Sequence, residues 1–201
     1  TIYFIERGKH AVRCIYPNGI IDVVAGTGTE GFSGDDGPGA DAELNMPSDV
    51  AVGPDGSLFI ADAKNERVRK LGPDGIITTV AGGGTYPVSW ASGGKKATEV
   101  KLNFFYGSFY GSIDVDSRGN LYIGEGMGEN FGPYGTKYPR KDGYVRMVDK
   151  SGIIHFITGG EWGYITAAIQ HEYGYHGDGG PARSKQVKLA PPVDIFVAPD
   201  D

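Results

Sequence analysis

Apolar residues in this chain fall in short runs of four to six, broken by polar turns, rather than in long helical stripes. One stretch shows the unit: Asp49-Val50-Ala51-Val52, a Gly53-Pro54-Asp55-Gly56 break, then Ser57-Leu58-Phe59-Ile60-Ala61-Asp62. A third run over 67–72 and a fourth over 76–81 are separated by Pro73-Asp74-Gly75. Runs rich in Val, Ile, Phe and Tyr, bounded by Pro, Gly and Asp, read as β-strands. The pattern predicts four strands: a over about 49–53, b over about 57–62, c over about 67–72 and d over about 76–81. The breaks place Pro where φ near about −65° is wanted and Gly where positive φ is tolerated. No segment sustains a helical period, and the nearest approach to one is 166–172.

The unit recurs. Val12-Arg13-Cys14-Ile15-Tyr16-Pro17-Asn18-Gly19-Ile20-Ile21 returns as Val68-Arg69-Lys70-Leu71-Gly72-Pro73-Asp74-Gly75-Ile76-Ile77. It returns again as Val145-Arg146-Met147-Val148-Asp149-Lys150-Ser151-Gly152-Ile153-Ile154. Each copy runs into a strand ending at Gly26, Gly82 or Gly159. The block 49–62 matches 112–125, residues 194–200 begin it once more, and Thr1–Glu6 ends an earlier copy. Unequal spacing between copies means a constant core with variable connections, the signature of a β-propeller with one sheet per repeat.

Composition narrows the class. The 34 Gly and 12 Pro in 201 residues suit an all-β chain with many turns, and the β-branched content argues against disorder. No apolar run is long enough for a membrane helix. Cys14 is the only cysteine, so no internal disulfide forms, and its repeat equivalents Lys70 and Met147 make it a tolerated strand residue. A formal net charge of −6 disfavours the phosphate affinity of nucleic-acid binders.

The segments Phe32-Ser33-Gly34-Asp35-Asp36-Gly37-Pro38-Gly39-Ala40, Leu44-Asn45-Met46-Pro47-Ser48-Asp49-Val50-Ala51-Val52, Asn65-Glu66-Arg67-Val68-Arg69-Lys70 and Ile77-Thr78-Thr79-Val80-Ala81-Gly82 carry a more specific likeness. Together they resemble the NHL repeat of bacterial secreted and surface proteins and of the teneurin propeller. Residues Tyr175-His176-Gly177-Asp178-Gly179-Gly180-Pro181-Ala182 restore the pattern after insertions. The resemblance implies an all-β propeller of four-stranded NHL-type blades, commonly six, and it does not imply one function. The expected organisation is strands b–d of one blade over 1–48, a complete blade over 49–111, a second with insertions over 112–193, and strand a of the next over 194–201. That is about three blades' worth of strands, part of a six-bladed propeller, whereas closure takes about 4–8 blades. The remaining blades are expected from the same longer chain or from a second chain.

Two features carry candidate chemistry. Glu6, Asp62 and Glu125 recur in register, as do Arg13, Arg69 and Arg146, and this reads as a repeated structural pair. The a-to-b and c-to-d turns are uniformly tight, whereas the d-to-a and b-to-c connections vary in length over 83–108, 126–142 and 160–192. Long loops on one face of a rigid scaffold are where binding resides. They carry Trp90, Phe131, Tyr134, Trp162, Tyr164, Tyr173 and Tyr175, aromatics suited to a protein or carbohydrate partner. Asp49 and Asp194, with Ser112, begin the innermost strands at the channel mouth. The reading is a non-enzymatic binding or scaffold propeller, extracellular or periplasmic, with no cofactor. The alternative is a metal-dependent lyase or hydrolase at the channel mouth. His171, His176 and Asp178 are the candidate transition-metal ligands, and Gly34-Asp35-Asp36-Gly37 and Gly177-Asp178-Gly179-Gly180 are the calcium candidates. Turn-forming carboxylates are the favoured reading of Asp35 and Asp178.

Overall fold

The computed structural model describes residues 1–86, 93–106, 109–126, 130–131, 137–138, 143–159 and 194–198. Their regular structure is strand and short 3₁₀ turn only. The first sheet is β1 (Ile2–Glu6), β2 (Ala11–Ile15) and β3 (Ile21–Ala25), in that order and antiparallel. After a two-residue strand β4 (Gly37–Pro38) comes a second meander: β5 (Asp49–Val52), β6 (Leu58–Asp62), β7 (Arg67–Leu71) and β8 (Ile76–Gly82). A further short strand, β9 (Lys95–Lys96), and a hairpin of β10 (Phe105–Tyr106) with β11 (Phe109–Tyr110) precede the third sheet. That sheet is β12 (Ser112–Val115), β13 (Leu121–Gly126), β16 (Gly143–Val148) and β17 (Ile153–Gly159), with the hairpin β14 (Asn130–Phe131) and β15 (Lys137–Tyr138) inserted between β13 and β16. The four strands expected over 49–81 are therefore present, each within a residue of its predicted ends.

The repeat extends to irregularities. In all three sheets the strands in the c and d positions slip register at one place, between Val12 and Arg13, Val68 and Arg69, and Val145 and Arg146. The bulge falls beside the repeated arginine each time, which makes it part of the design of the blade. Strand d ends in a glycine at positive φ, Gly26 at 99° and Gly82 at 84°. A side chain there would run into the carbonyls of His10 and Glu66, so both shape and dihedral require glycine.

The sheets stand side by side as blades. The inner strand β5 packs against β12 on one side and against β1 on the other. Strand β6 is buried along its whole length, and alternation splits its residues between two interfaces. Leu58 and Ile60 join Val12, Ala25, Ala42 and Leu44 in the core against the first sheet. Phe59 and Ala61 join Leu102, Phe104, Ile113, Leu121 and Ile123 in the core against the third. A strand covered on both faces needs apolar residues at consecutive positions, which is why 58–61 reads as a continuous run. Among the described residues β1 pairs only with β2.

The d-to-a connections differ from the one-faced loops expected of them. After Gly26 the chain passes along the outer edge of the next blade, where β4 pairs with β8 (Gly37 opposite Ile77, Pro38 opposite Ile76). Those residues of β8 lie beside its Gly75 turn, at the tight-turn end of the blade, so the connection spans the height of the molecule. It then turns inward through the 3₁₀ turn Gly39–Asp41 and returns between blades to Asp49. Asp36 N–H donates to Ile77 O at 2.8 Å and Gly39 N–H to Gly75 O at 2.9 Å. The next connection repeats this, with Gly94 N–H on Ile154 O at 2.7 Å and Ala97 N–H on Gly152 O at 2.8 Å. The physical cause is the outer strand's row of unpaired backbone groups, which a fifth strand covers. Gly39 is a close approach: a Cβ there would strike Leu71 and sit 2.9 Å from Val24 O.

Candidate functional site

The repeated charges are structural. Arg69 is completely buried, and its guanidinium reaches Asp35 Oδ1 (Nη2 at 2.8 Å) and Asp62 Oδ2 (Nη1 at 3.6 Å) while donating to Ser33 O at 3.0 Å. Asp62 Oδ1 accepts Asn45 N–H at 2.7 Å, and Oδ2 accepts Asn65 Nδ2 at 2.8 Å. Burial pushes the Asp62 carboxyl up, against those hydrogen bonds and the Arg69 charge. One guanidinium thus joins strands b and c to the incoming connection. The third blade achieves this with different residues. Glu125 binds Arg146 through both oxygens, at 2.5 Å to Nε and 2.8 Å to Nη2, and also accepts Asn103 N–H at 2.7 Å. Gly93-Gly94 stands there in place of Asp35-Asp36, so the longer glutamate replaces the two aspartates of the second blade. In the first blade Arg13 and Glu6 meet at 3.2 Å, with side chains 31% and 38% exposed.

Asp35 is more than a simple turn former. Its Oδ1 accepts Arg69 Nε at 3.0 Å and its Oδ2 accepts the Thr79 hydroxyl at 2.7 Å. Among the described residues no three His, Cys, Asp or Glu side chains group as metal ligands would.

Of the two candidate carboxylates, Asp49 lies on an inner strand and links it to the next blade. Asp49 Oδ1 accepts Val50 N–H and its Oδ2 accepts Ile113 N–H, each at 2.8 Å, so the side chain ties the inner strand of one blade to the next. Asp114 repeats the device, accepting Val115 N–H at 2.8 Å and Val197 N–H at 2.6 Å. The Ser48 hydroxyl adds a bond to Gly111 O at 2.9 Å. Burial pushes the Asp49 carboxyl above its ordinary value; the two backbone N–H groups pull it back, and the charges of Asp194 and Asp114 raise it further. Because the folded-state value is raised, Asp49 stabilises the fold most below the ordinary aspartate range and loses that contribution as pH rises through the folded value. The stability difference between wild type and Asp49→Asn, followed by urea unfolding at successive pH values, should shift against wild type from about pH 4 toward neutrality. A difference that does not vary with pH would remove Asp49 from the titrating set.

The d-to-a connections present two exposed aromatics among the described residues, each under a cation. Phe32 is 43% exposed, with the Arg67 guanidinium 3.7 Å and that of Arg69 4.9 Å from its ring centroid. Tyr86 is 44% exposed with Lys95 Nζ at 4.2 Å. Of the residues expected to bind, Phe131 lies in β14, opposite Lys137 of β15. Trp90, Tyr134, Trp162, Tyr164, Tyr173, Tyr175, His171, His176 and Asp178 lie outside the described residues. Asp194 is exposed at the start of the last described segment. The Phe32–Arg67 stack was missed by sequence reasoning because Phe32 precedes the Gly34-Asp35-Asp36-Gly37 motif and is 35 positions from its cation (67 − 32 = 35). An aromatic beside a glycine-rich motif in a connection was its one visible signal.

Antiparallel four-stranded sheets packed face to face about their inner strands define blades of a β-propeller. Residues 6–72 match the family model of the teneurin NHL domain, and over that stretch the NHL likeness holds. Teneurin-1 of Mus musculus is 37% identical over 76 residues, covering 33% of this chain and 3% of that protein. Teneurin-4 of Homo sapiens is 39% identical over 74 residues, 32% of this chain and 3% of that protein. The chain thus spans about 3% of the length of these curated relatives. Among solved structures, a Bacteroides thetaiotaomicron protein described as of unknown function has 26% identity and a TM-score of 0.49, over 61% of this chain and 29% of its own. An auxiliary nutrient binding protein of Bacteroides ovatus has 23% identity and a TM-score of 0.42, over 60% and 31%. No helix among the described residues is long and apolar enough to cross a membrane.

Proposed function

We propose that this propeller segment is a non-enzymatic binding module of an extracellular or surface protein, and that its long-loop face engages a protein partner. The observation that carries the reading is the exposed Phe32 ring lying against Arg67; Tyr86 with Lys95 is a second exposed aromatic under a cation, at different repeat positions. Aromatic and arginine side chains dominate the energetics of protein interfaces, because they combine contact area with directional polar groups. Stacking on Phe32 and a bond to Asn65 O at 3.4 Å hold the Arg67 fork in one geometry before any partner arrives, which lowers the ordering cost of binding. The opposite face offers short turns of repeated geometry and little length variation, so specificity is better placed on the long loops. The loop aromatics Trp90, Trp162, Tyr164, Tyr173 and Tyr175 would extend the same surface.

The test compares binding to an array of purified ectodomains and polysaccharides for wild type, Phe32→Ala and Trp162→Ala. Loss of at least about ten-fold in affinity for one protein, with folding retained, is expected from removing an anchor of this kind. Binding that survives both substitutions would overturn the reading, and selective binding of a polysaccharide would move the partner to carbohydrate.

A further inference from the structure

The tight-turn face holds a second feature, unrelated to the loop surface just discussed. A cleft of about 520 Å³ opens between the second and third blades. Its floor is apolar: Phe59 and Val80 from one blade, Leu121 and Val148 from the other. Its rim is formed by the turns, with Asp55 and Lys70 on one side and Arg118, Asp149 and Lys150 on the other.

The rim charges are not equivalent. Asp55 is occupied by Lys70 at 3.0 Å and by Ser57 N–H at 3.1 Å, which together hold its carboxyl down at about 2. Asp149 accepts Ser151 N–H at 2.9 Å and Ile153 N–H at 3.1 Å within its own turn, and its Oδ2 meets His155 Nε2 at 2.7 Å. The nearby Asp116 carboxylate is likewise consumed, by the Arg118 and Asn120 backbone N–H groups, the Asn120 amide and the Tyr122 hydroxyl. Arg118 and Lys150 are exposed, and among the described residues neither side chain has an ion-pair partner. Every rim carboxylate thus has its own donors, and two cations remain over an apolar floor.

We propose that this inter-blade cleft binds a small amphiphilic organic anion, its apolar body on Phe59, Val80, Leu121 and Val148 and its carboxylate between Arg118 and Lys150. The volume is that of a small-molecule site, and such sites combine an apolar lining with a few polar groups that orient the ligand. The arginine fork matches a carboxylate in two parallel hydrogen bonds, and lysine adds a mobile point charge. The charge runs against the chain's net −6, so the preference is local to this cleft.

Naphthalene-2-carboxylate titrated into the full chain tests the proposal, with the uncharged 2-naphthamide as its shape-matched control. Calorimetry should give saturable binding of the acid, weakened by added salt, with the amide at least about ten-fold weaker. Arg118→Ala/Lys150→Ala should weaken the acid by a similar factor and leave the amide unchanged. Both positions are exposed turn residues, so unaltered circular dichroism and unfolding midpoint serve as the folding control. Equal binding of acid and amide would overturn the proposal. So would undiminished binding by the double variant, or no saturable binding up to about 10 mM, weaker than a site of this size should give.

Discussion

Replacing Arg69 with methionine should lower the unfolding free energy by about 3–5 kcal/mol, because it leaves the buried Asp62 carboxylate with no cation. Urea unfolding of the variant against wild type measures this. The repeat supplies its own control. Arg13 holds the same register position, but its pair with Glu6 is about a third exposed on both sides. Arg13→Met should therefore cost no more than about 1 kcal/mol, the range for solvent-screened pairs. A second variant separates the loss of an ion pair from the loss of packing. Arg69→Met with Asp62→Leu removes the fully buried pair and should recover part of the deficit, because an apolar pair of similar volume avoids the desolvation cost; the remainder reports Asp35 and the Asn45 N–H, which lose their partners. Equal penalties at positions 69 and 13 would mean that burial does not govern these nodes.

Phe104→Ala should be comparably severe, at about 3–5 kcal/mol, the cost of emptying a large aromatic site in a packed core. Phe104 is 1% exposed and belongs to the connection between the second and third blades, not to a strand of either. Its ring lies against Gly111, where any side chain would strike it, and its carbonyl accepts Gly111 N–H at 2.8 Å. The variant should also speed amide hydrogen exchange in β12 and β13 more than in β2 and β3, because the cavity opens on the third blade. Phe196→Ala provides the contrast: at 82% exposure it should change stability by no more than about 0.5 kcal/mol. Should Phe104→Ala prove as mild, the d-to-a connection would be a surface loop and not part of the core.

The proposed binding face and the inner strands differ in how they would respond to pH and substitution. Asp49 and Asp114 are struts between inner strands, and their oxygens are engaged by backbone N–H groups. Phe32 and Arg67 are available at the surface, already stacked. Substitution at Asp49 should therefore appear first in stability and its pH profile, and substitution at Phe32 in affinity.

Local pattern alone determined the blades. Short apolar runs, Pro-Asp-Gly turns and a unit repeated at 12–21, 68–77 and 145–154 specify strand order and turn positions, because antiparallel neighbours in a meander are also neighbours in sequence. The recurrence of Arg13, Arg69 and Arg146 together with Glu6, Asp62 and Glu125 likewise pointed to a structural pair. Relations between blades required the tertiary structure. Leu58 and Phe59 are adjacent and both apolar, yet one faces the first sheet and the other the third. Asp35 reads locally as a turn residue, and its bond to Arg69, 34 positions away, is visible only in the folded chain. The Phe32–Arg67 stack and the cleft beside Arg118 and Lys150 arise in the same way, where connections or neighbouring blades bring distant segments together. Strand periodicity encodes which residues pair within a sheet. It carries no information about which face meets which neighbour, because that depends on how a connection some twenty residues long passes along one blade's edge and back between two.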